Sequence, residues 1–230
     1  MLILAIETSG RGGDVALMRG DESLGSRSLA AAGQRHAQTL VAEMAALWDD
    51  AGIEPDDLDA IAVSIGPGSF TGLRVGVVCA KTLAYSVGCP LAAVDTFRAV
   101  AAHSPEDIVR VQVVSDAQRG ELYLGRYERR GDEWERHGEI VIIDGDEWLA
   151  SLGADDVVSG PAVAKYPMPL ADRCRVLESA FREPRAATIA RLGRRQVERG
   201  DIADAATLEP FYLRRSAAEE KRDAAAAGGR

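Results

Sequence analysis

The stretch IAVSIGPGSFTGLRVGVVCAKTLAYSVG, Ile61 to Gly88, limits the fold of this chain more than any other. Ile61 to Ile65 is a short apolar run with β-branched residues, Gly66-Pro67-Gly68 breaks it, and a segment at helical spacing follows. It reads as strand, tight turn and helix, with Ser69 as N-cap. On that helix Gly72, Gly76, Ala80 and Ala84 recur every four residues and form one stripe almost free of side chain. Glycine inside a helix costs roughly 1 kcal/mol relative to alanine, and Val75, Val77 and Val78 add smaller penalties. A close contact must offset this, because a smooth stripe lets another backbone approach. From spacing alone, packing inside the chain's own lobe is the first expectation, with a second helix as the alternative. Arg74, Lys81 and Tyr85 lie away from the stripe and need no burial.

A glycine turn feeding a helix N-terminus suits an anion. The spacing is not that of a P-loop, however, since the second glycine would fall on Thr71 or Leu73 and no Lys-Ser/Thr pair follows. Nor is it a nucleophile elbow, because Pro67 stands where the glycine before Ser69 is required.

The chain has 230 residues, 47% of them hydrophobic, enough for one large core or two lobes of about 100 residues each. A net charge of −9 argues against this chain alone gripping a nucleic-acid backbone. Cys79, Cys89 and Cys174 are odd in number and unpaired in spacing, which points to a reducing compartment and buried small hydrophobes. Leu2 to Ile6 has no basic lead-in and no run approaches a membrane span, so a cytoplasmic protein is expected.

In chain order, Met1 to Glu7, Asp14 to Arg19 and Glu22 to Leu29 read as an antiparallel meander turned at Gly10 to Gly13 and at Gly20. Gln34 to Ala51 presents a broad apolar helical face, ended by Gly52. Leu91 to Val94 is a strand and Thr96 to His103 a short helix, with a linker at Ser104 to Asp107. A second round follows: strands at Val109 to Ser115, Glu121 to Arg129 and Trp134 to Ile143, a helix at Asp144 to Leu152, a strand at Val157 to Ser159 and a helix at Thr188 to Arg199. Two rounds of three strands followed by α/β alternation suggest a duplicated fold. PFYLR, Pro210 to Arg214, is a compact aromatic and basic motif before a low-complexity end.

With AIETS at Ala5 to Ser9, Arg35-His36, GPGSFTGLRVGV at Gly66 to Val77, Asp116-Ala117 followed by GELY, and PFYLR, the chain closely resembles the bacterial TsaB family, to about Arg215. That family is the non-catalytic partner of TsaD in making threonylcarbamoyladenosine on tRNA, beside the anticodon. The resemblance implies an α/β chain of two RNase-H-like lobes of the actin, Hsp70 and sugar-kinase superfamily, each a mixed sheet with flanking helices. Residues 1–104 would be the N-terminal lobe with the partner-binding helices, 105–215 the C-terminal lobe, and 216–230 a disordered tail.

It also implies that the first two long helices meet TsaD, or a second copy in a homodimer, through His36, Leu40, Val41, Met44, Phe70, Gly72, Leu73, Gly76 and Ala80. TsaE and tRNA are then reached through the complex. No tightly bound cofactor is expected, with ATP entering at the level of the complex, and Glu7, Ser9, Gly12, Gly68 and Ser69 are the candidate nucleotide or anion positions. TsaD-like relatives carry His-x-x-x-His where this chain has Thr96 and Val100, leaving Asp95 as the one ligand-type residue nearby. Glu7 replaces the superfamily's usual aspartate, which argues against ordinary ATP hydrolysis. His36, His103 and His137 are scattered, and Asp116 and Glu121 read as turn carboxylates before acid/base catalysts. The competing readings are a metal-independent hydrolase of the glycoprotease-like family, using Glu7, Asp95 or Asp116, and a nucleotide-sensing module.

Overall fold

The computed structural model describes residues 1–10, 12–29, 36–166 and 170–214, with only the backbone of 36 and 37. Strands β1 (Leu2–Glu7), β2 (Asp14–Arg19) and β3 (Glu22–Ser28) form the expected antiparallel meander. On the other side of β1, β4 (Ala60–Gly66) and β5 (Leu91–Asp95) add in parallel, giving the order β3-β2-β1-β4-β5. Helices α1 (His36–Ala51) and α2 (Phe70–Val87) cover one face, and α3 (Thr96–Ala102) leaves the end of β5.

A second sheet repeats the plan. Strands β6 (Arg110–Gln118), β7 (Glu121–Arg130) and β8 (Glu133–Arg136) are antiparallel, while β10 (Val157–Ser159) and β11 (Arg175–Val176) run parallel to β6, in the order β11-β10-β6-β7-β8. The two sheets share strand order and direction, so the duplication implied by the sequence is a duplication of topology: two RNase-H-like lobes. The single strand expected from Trp134 to Ile143 is instead two, β8 and β9 (Val141–Asp144), because Gly138 at φ 76 turns the chain between them. Strand β9 pairs with β7, and α4 (Gly145–Ser151) begins at the N-cap Asp144.

The first sheet is buried on both faces, and its alternating residues differ in size. Leu2, Leu4, Ile6, Ile61 and Val63 point toward α1 and α2. Ile3, Ala5, Ala60, Ala62 and Ala92 point the other way, where α5 (Ala186–Glu198) lies across them. Alanines there let that helix sit close: a side chain on Gly193 would meet the Ala62 methyl at 2.5 Å. Sequence reading placed this helix with residues 105–215, yet its packing is on the first lobe. Position in the chain does not reveal which of two sheets has a face left to cover.

The chain then straps the lobes together. Ala203 N donates to the Leu91 carbonyl (2.8 Å), Lys81 Nζ to that of Leu208 (2.9 Å) and Phe211 N to that of Ile65 (2.7 Å). Arg214 ends the strap on the second lobe, at the Ala117 carbonyl and the Glu121 carboxylate. Gly66, at φ 120, leaves room for this strap, since a Cβ there would lie 2.9 Å from the Phe211 carbonyl oxygen. Residues 216–230 lie outside the described residues. No helix among the described residues is long and apolar enough to cross a membrane.

Candidate functional site

The glycine stripe of α2 seats the turn that leaves β1. A Cβ on Gly72 would collide with the Thr8 carbonyl oxygen, one on Gly76 with the Thr8 hydroxyl, and one on Gly68 would lie 2.6 Å from the Ser9 carbonyl oxygen. The stripe's low propensity is therefore offset inside the lobe, and the first of the two expectations from spacing holds. Ser69 caps the helix as read, its Oγ accepting from Gly72 N at 3.3 Å.

At the same turn Glu7 is 1% exposed. Its Oε1 accepts from Ser9 N (2.5 Å), Ser9 Oγ (2.6 Å) and Gly10 N (3.3 Å). Burial raises the proton affinity of this carboxyl, and the bonds from Ser9, Ser64 and Gly10 oppose that rise. The candidate anion positions consequently do not form one cradle. Ser9 spends its amide and hydroxyl on Glu7, and its carbonyl accepts Ser69 N at 2.7 Å. Gly68 is packed against Ser9, and the Ser69 hydroxyl is used in its own cap. A carboxylate of the chain itself occupies the donors that a phosphate would need.

Glu7 and Gly12 do line a cavity of about 400 Å³, with Asp14, Arg27 and the segment Glu183 to Arg185. Asp14 Oδ1 accepts from Ala186 N at 3.0 Å and so caps α5 from a distant part of the sequence. Burial pushes its pKa up to about 6, against the pull of that bond.

Of the nine expected interface residues, Leu40, Met44, Gly72, Leu73, Gly76 and Ala80 are buried in the first lobe and present no surface. Their periodicity marks the face toward the sheet, so the surface of the two helices is the opposite one. Val41 is 67% exposed on α1, whereas the His36 side chain lies outside the described residues. Phe70 is half-buried and stacks on Tyr212 with centroids 4.7 Å apart. The Arg74 guanidinium lies 4.0 Å from the Phe70 centroid and its Nε donates to the Tyr212 hydroxyl at 2.9 Å. Val78 and Tyr85, 61% and 86% exposed, are the surface residues that helical spacing did not select. Their signal was available: a β-branched and an aromatic residue seven apart, out of phase with the glycine stripe.

The remaining titratable candidates are engaged elsewhere. Asp95 caps α3 through Oδ1, at Phe97 N (2.9 Å) and Arg98 N (3.2 Å), and its Oδ2 accepts the Tyr127 hydroxyl at 2.7 Å. Asp116 pairs with Lys165 (2.5 Å) and Glu121 with Arg214. His103 packs edge-on to Phe181, and burial together with Arg185 and Arg191 lowers its pKa. No group of three or more His, Cys, Asp or Glu among the described residues could hold a metal ion.

Comparison with known proteins adds to this geometry. The family model described as TsaD, tRNA N6-adenosine threonylcarbamoyltransferase, matches residues 30–222. The chain is 30% identical over 228 residues to the tRNA threonylcarbamoyladenosine biosynthesis protein TsaB of Bacillus subtilis, covering 96% of this chain and 97% of that one. It is 27% identical over 230 residues to the protein of the same name from Escherichia coli, covering 96% and 98%. Among solved structures, a Pseudomonas aeruginosa protein described as uncharacterized, with similarity to peptidase YEAZ, superposes with a TM-score of 0.79 at 28% identity over 93% of this chain and 99% of the other. YeaZ from Pseudomonas aeruginosa gives the same TM-score at 26% identity, over 92% and 99%.

Proposed function

Because the chain belongs to the TsaB family, we propose that it works as a docking subunit for a TsaD-type transferase, through the outward faces of α1 and α2. Its role lies in tRNA threonylcarbamoyladenosine biosynthesis. The observation carrying the docking reading is the exposure of Val41, Val78 and Tyr85 on two neighbouring helices. Water is a poor neighbour for such side chains, and burying each contributes about 1.5–3 kcal/mol. Tyr85 in particular offers a rigid aromatic body with a polar tip, the kind of side chain that dominates interfaces.

In this reading the chain contributes no turnover of its own. Glu7 Oε1 holds its own turn, Asp95 caps a helix and Asp116 pairs with Lys165, which gives each of these carboxylates a structural task. TsaE and tRNA are engaged through the complex, ATP acts at that level, and a second copy can use the same helical face when the partner is absent, all in the cytoplasm. The competing reading, hydrolysis by the isolated chain, predicts substrate cleavage that disappears in Glu7→Gln or Asp95→Asn.

Co-purification with the TsaD-type partner tests the proposal. The double variant Val78→Arg with Tyr85→Ala should fold normally and lose the partner. A complex that survives both changes sinks this interface. Leu40→Asp and Gly76→Arg are unsuitable for this test, since both would disrupt the lobe itself.

A further inference from the structure

The solvent side of α5 has a different character from that of α1 and α2. Ile189, Ala190, Leu192 and Gly193 face the sheet, which leaves Arg191, Arg194 and Arg195 half-buried on the other side, and Arg185 and Arg199 flank the helix at either end. Arg98 joins them from α3. Glu133 of β8 is shared by three of these guanidinium groups, Arg98 at 2.6 Å, Arg195 at 3.0 Å and Arg199 at 2.7 Å. Arg194 pairs with Asp21 (2.6 Å) and Glu198 (3.1 Å). Arg191 donates to the Ala102 carbonyl at 3.2 Å and lies within electrostatic reach of Asp21, and Arg185 lines the cavity within electrostatic reach of Asp14.

Among the described residues four of these six arginines pair with three carboxylates, while Arg185 and Arg191 feel Asp14 and Asp21 only at longer range, in a chain whose total charge is −9. Six guanidinium groups against Asp14, Asp21, Glu133 and Glu198 leave a local excess of positive charge. The crowding is felt locally: burial and then Arg195 lower the pKa of Arg191, and Arg185 and Arg191 act on His103 in the same sense. From 185 to 199 the line extends about 20 Å at 1.5 Å per residue, the reach of a few successive phosphates. Guanidinium forks suit phosphate oxygens, and cations in excess of their counter-charges gain most from a polyanion.

We propose that this arginine ridge receives the sugar–phosphate backbone of the tRNA. The inference rests on the tRNA-modification reading above, but not on the docking face of α1 and α2. It makes the chain's contact with RNA direct, where the sequence implied an indirect one: net composition averages over the whole chain and hides a local excess of arginine.

The test is tRNA binding as a function of salt, by fluorescence anisotropy, for the chain with its TsaD-type partner and for the chain alone. The triple variant Arg185→Gln, Arg191→Gln, Arg199→Gln should weaken binding and flatten the slope of log K against log salt by about 0.9 for each phosphate no longer neutralised. The corresponding lysine variants should retain most of the affinity, and a melting curve confirms folding. The triple variant should still co-purify with the partner, because its changes lie on another face. An unchanged affinity and slope overturn the ridge, as does equal binding to polyglutamate, which carries charge without phosphates. If the wild-type chain fails to bind the partner, the docking reading falls separately, and the slope measured on the chain alone still decides the ridge.

Discussion

Helix α2 and helix α5 sandwich one sheet and are built alike on the inside and unlike on the outside. Toward the sheet both rely on small residues, Gly72, Gly76 and Ala80 in one and Ala186, Ala190 and Gly193 in the other, which allow close backbone approach. Toward solvent α2 shows Val78 and Tyr85, whereas α5 shows Arg191, Arg194 and Arg195. Inner faces are constrained by packing density and outer faces are free of it, so the outer chemistry is where the two helices can diverge in role. Exposed Val78 and Tyr85 beside Arg74 and Lys81 fit a protein partner, and a surplus of guanidinium groups fits a polyanion.

The contrast between inside and outside can be broken most severely on α2 itself. Gly76→Arg forces a long charged side chain against Thr8 and Ile6 and should cost at least about 3 kcal/mol, or prevent folding. Val78→Arg, two residues on, should stay within about 0.5 kcal/mol of the parent in urea denaturation. Comparable losses from the two would mean that the helix is not oriented as described.

A smaller effect sharpens the α5 side. Asp14 caps that helix with a pKa raised to about 6, so the folded state holds the proton more tightly than the unfolded chain does. Stability contributed at this position is therefore greatest at low pH and declines as pH rises from about 4 to 6. Asp14→Asn keeps an oxygen for Ala186 N and removes the penalty. Thermal unfolding should show it more stable than the parent by about 1–2 kcal/mol at pH 7, with the advantage gone near pH 4. An advantage independent of pH would contradict this cause.

The smallest effect concerns the ridge's counter-charge. Burial works against ionisation of Glu133, but the bonds from Arg199 and Arg195 win and hold its pKa below the usual carboxylate range. Its contribution is present at neutral pH and is lost as pH falls below that range. Glu133→Gln should cost roughly 1 kcal/mol at pH 7, and less in high salt, while strengthening tRNA binding by the chain. Weaker tRNA binding in this variant would count against the ridge.

Local rules read off the chain carried a large part of the description. The alternation in β1 to β3, the Gly66-Pro67-Gly68 break, the Ser69 cap and the two long helices all follow from short-range sterics and periodicity, and the structure places them as read. The site residues fared differently. Leu40, Met44, Leu73 and Ala80 stand out because they recur at helical spacing, and that same spacing is what buries them. Spacing identifies an apolar face without saying whether a sheet or a partner covers it.

What the sequence by itself determined, then, is most of the elements, the Ser69 cap, the main turns and the family, since these depend on neighbours within a few residues or on motifs written in order. Tertiary structure alone decided that Thr8 fills the glycine stripe, that Glu7 occupies its own turn, that Asp14 caps a helix 172 residues away and that Arg98, Arg195 and Arg199 share Glu133. The physical reason is that burial, pairing and surplus charge belong to contacts between distant segments. Only the folded chain brings those segments within the few ångströms over which such contacts act.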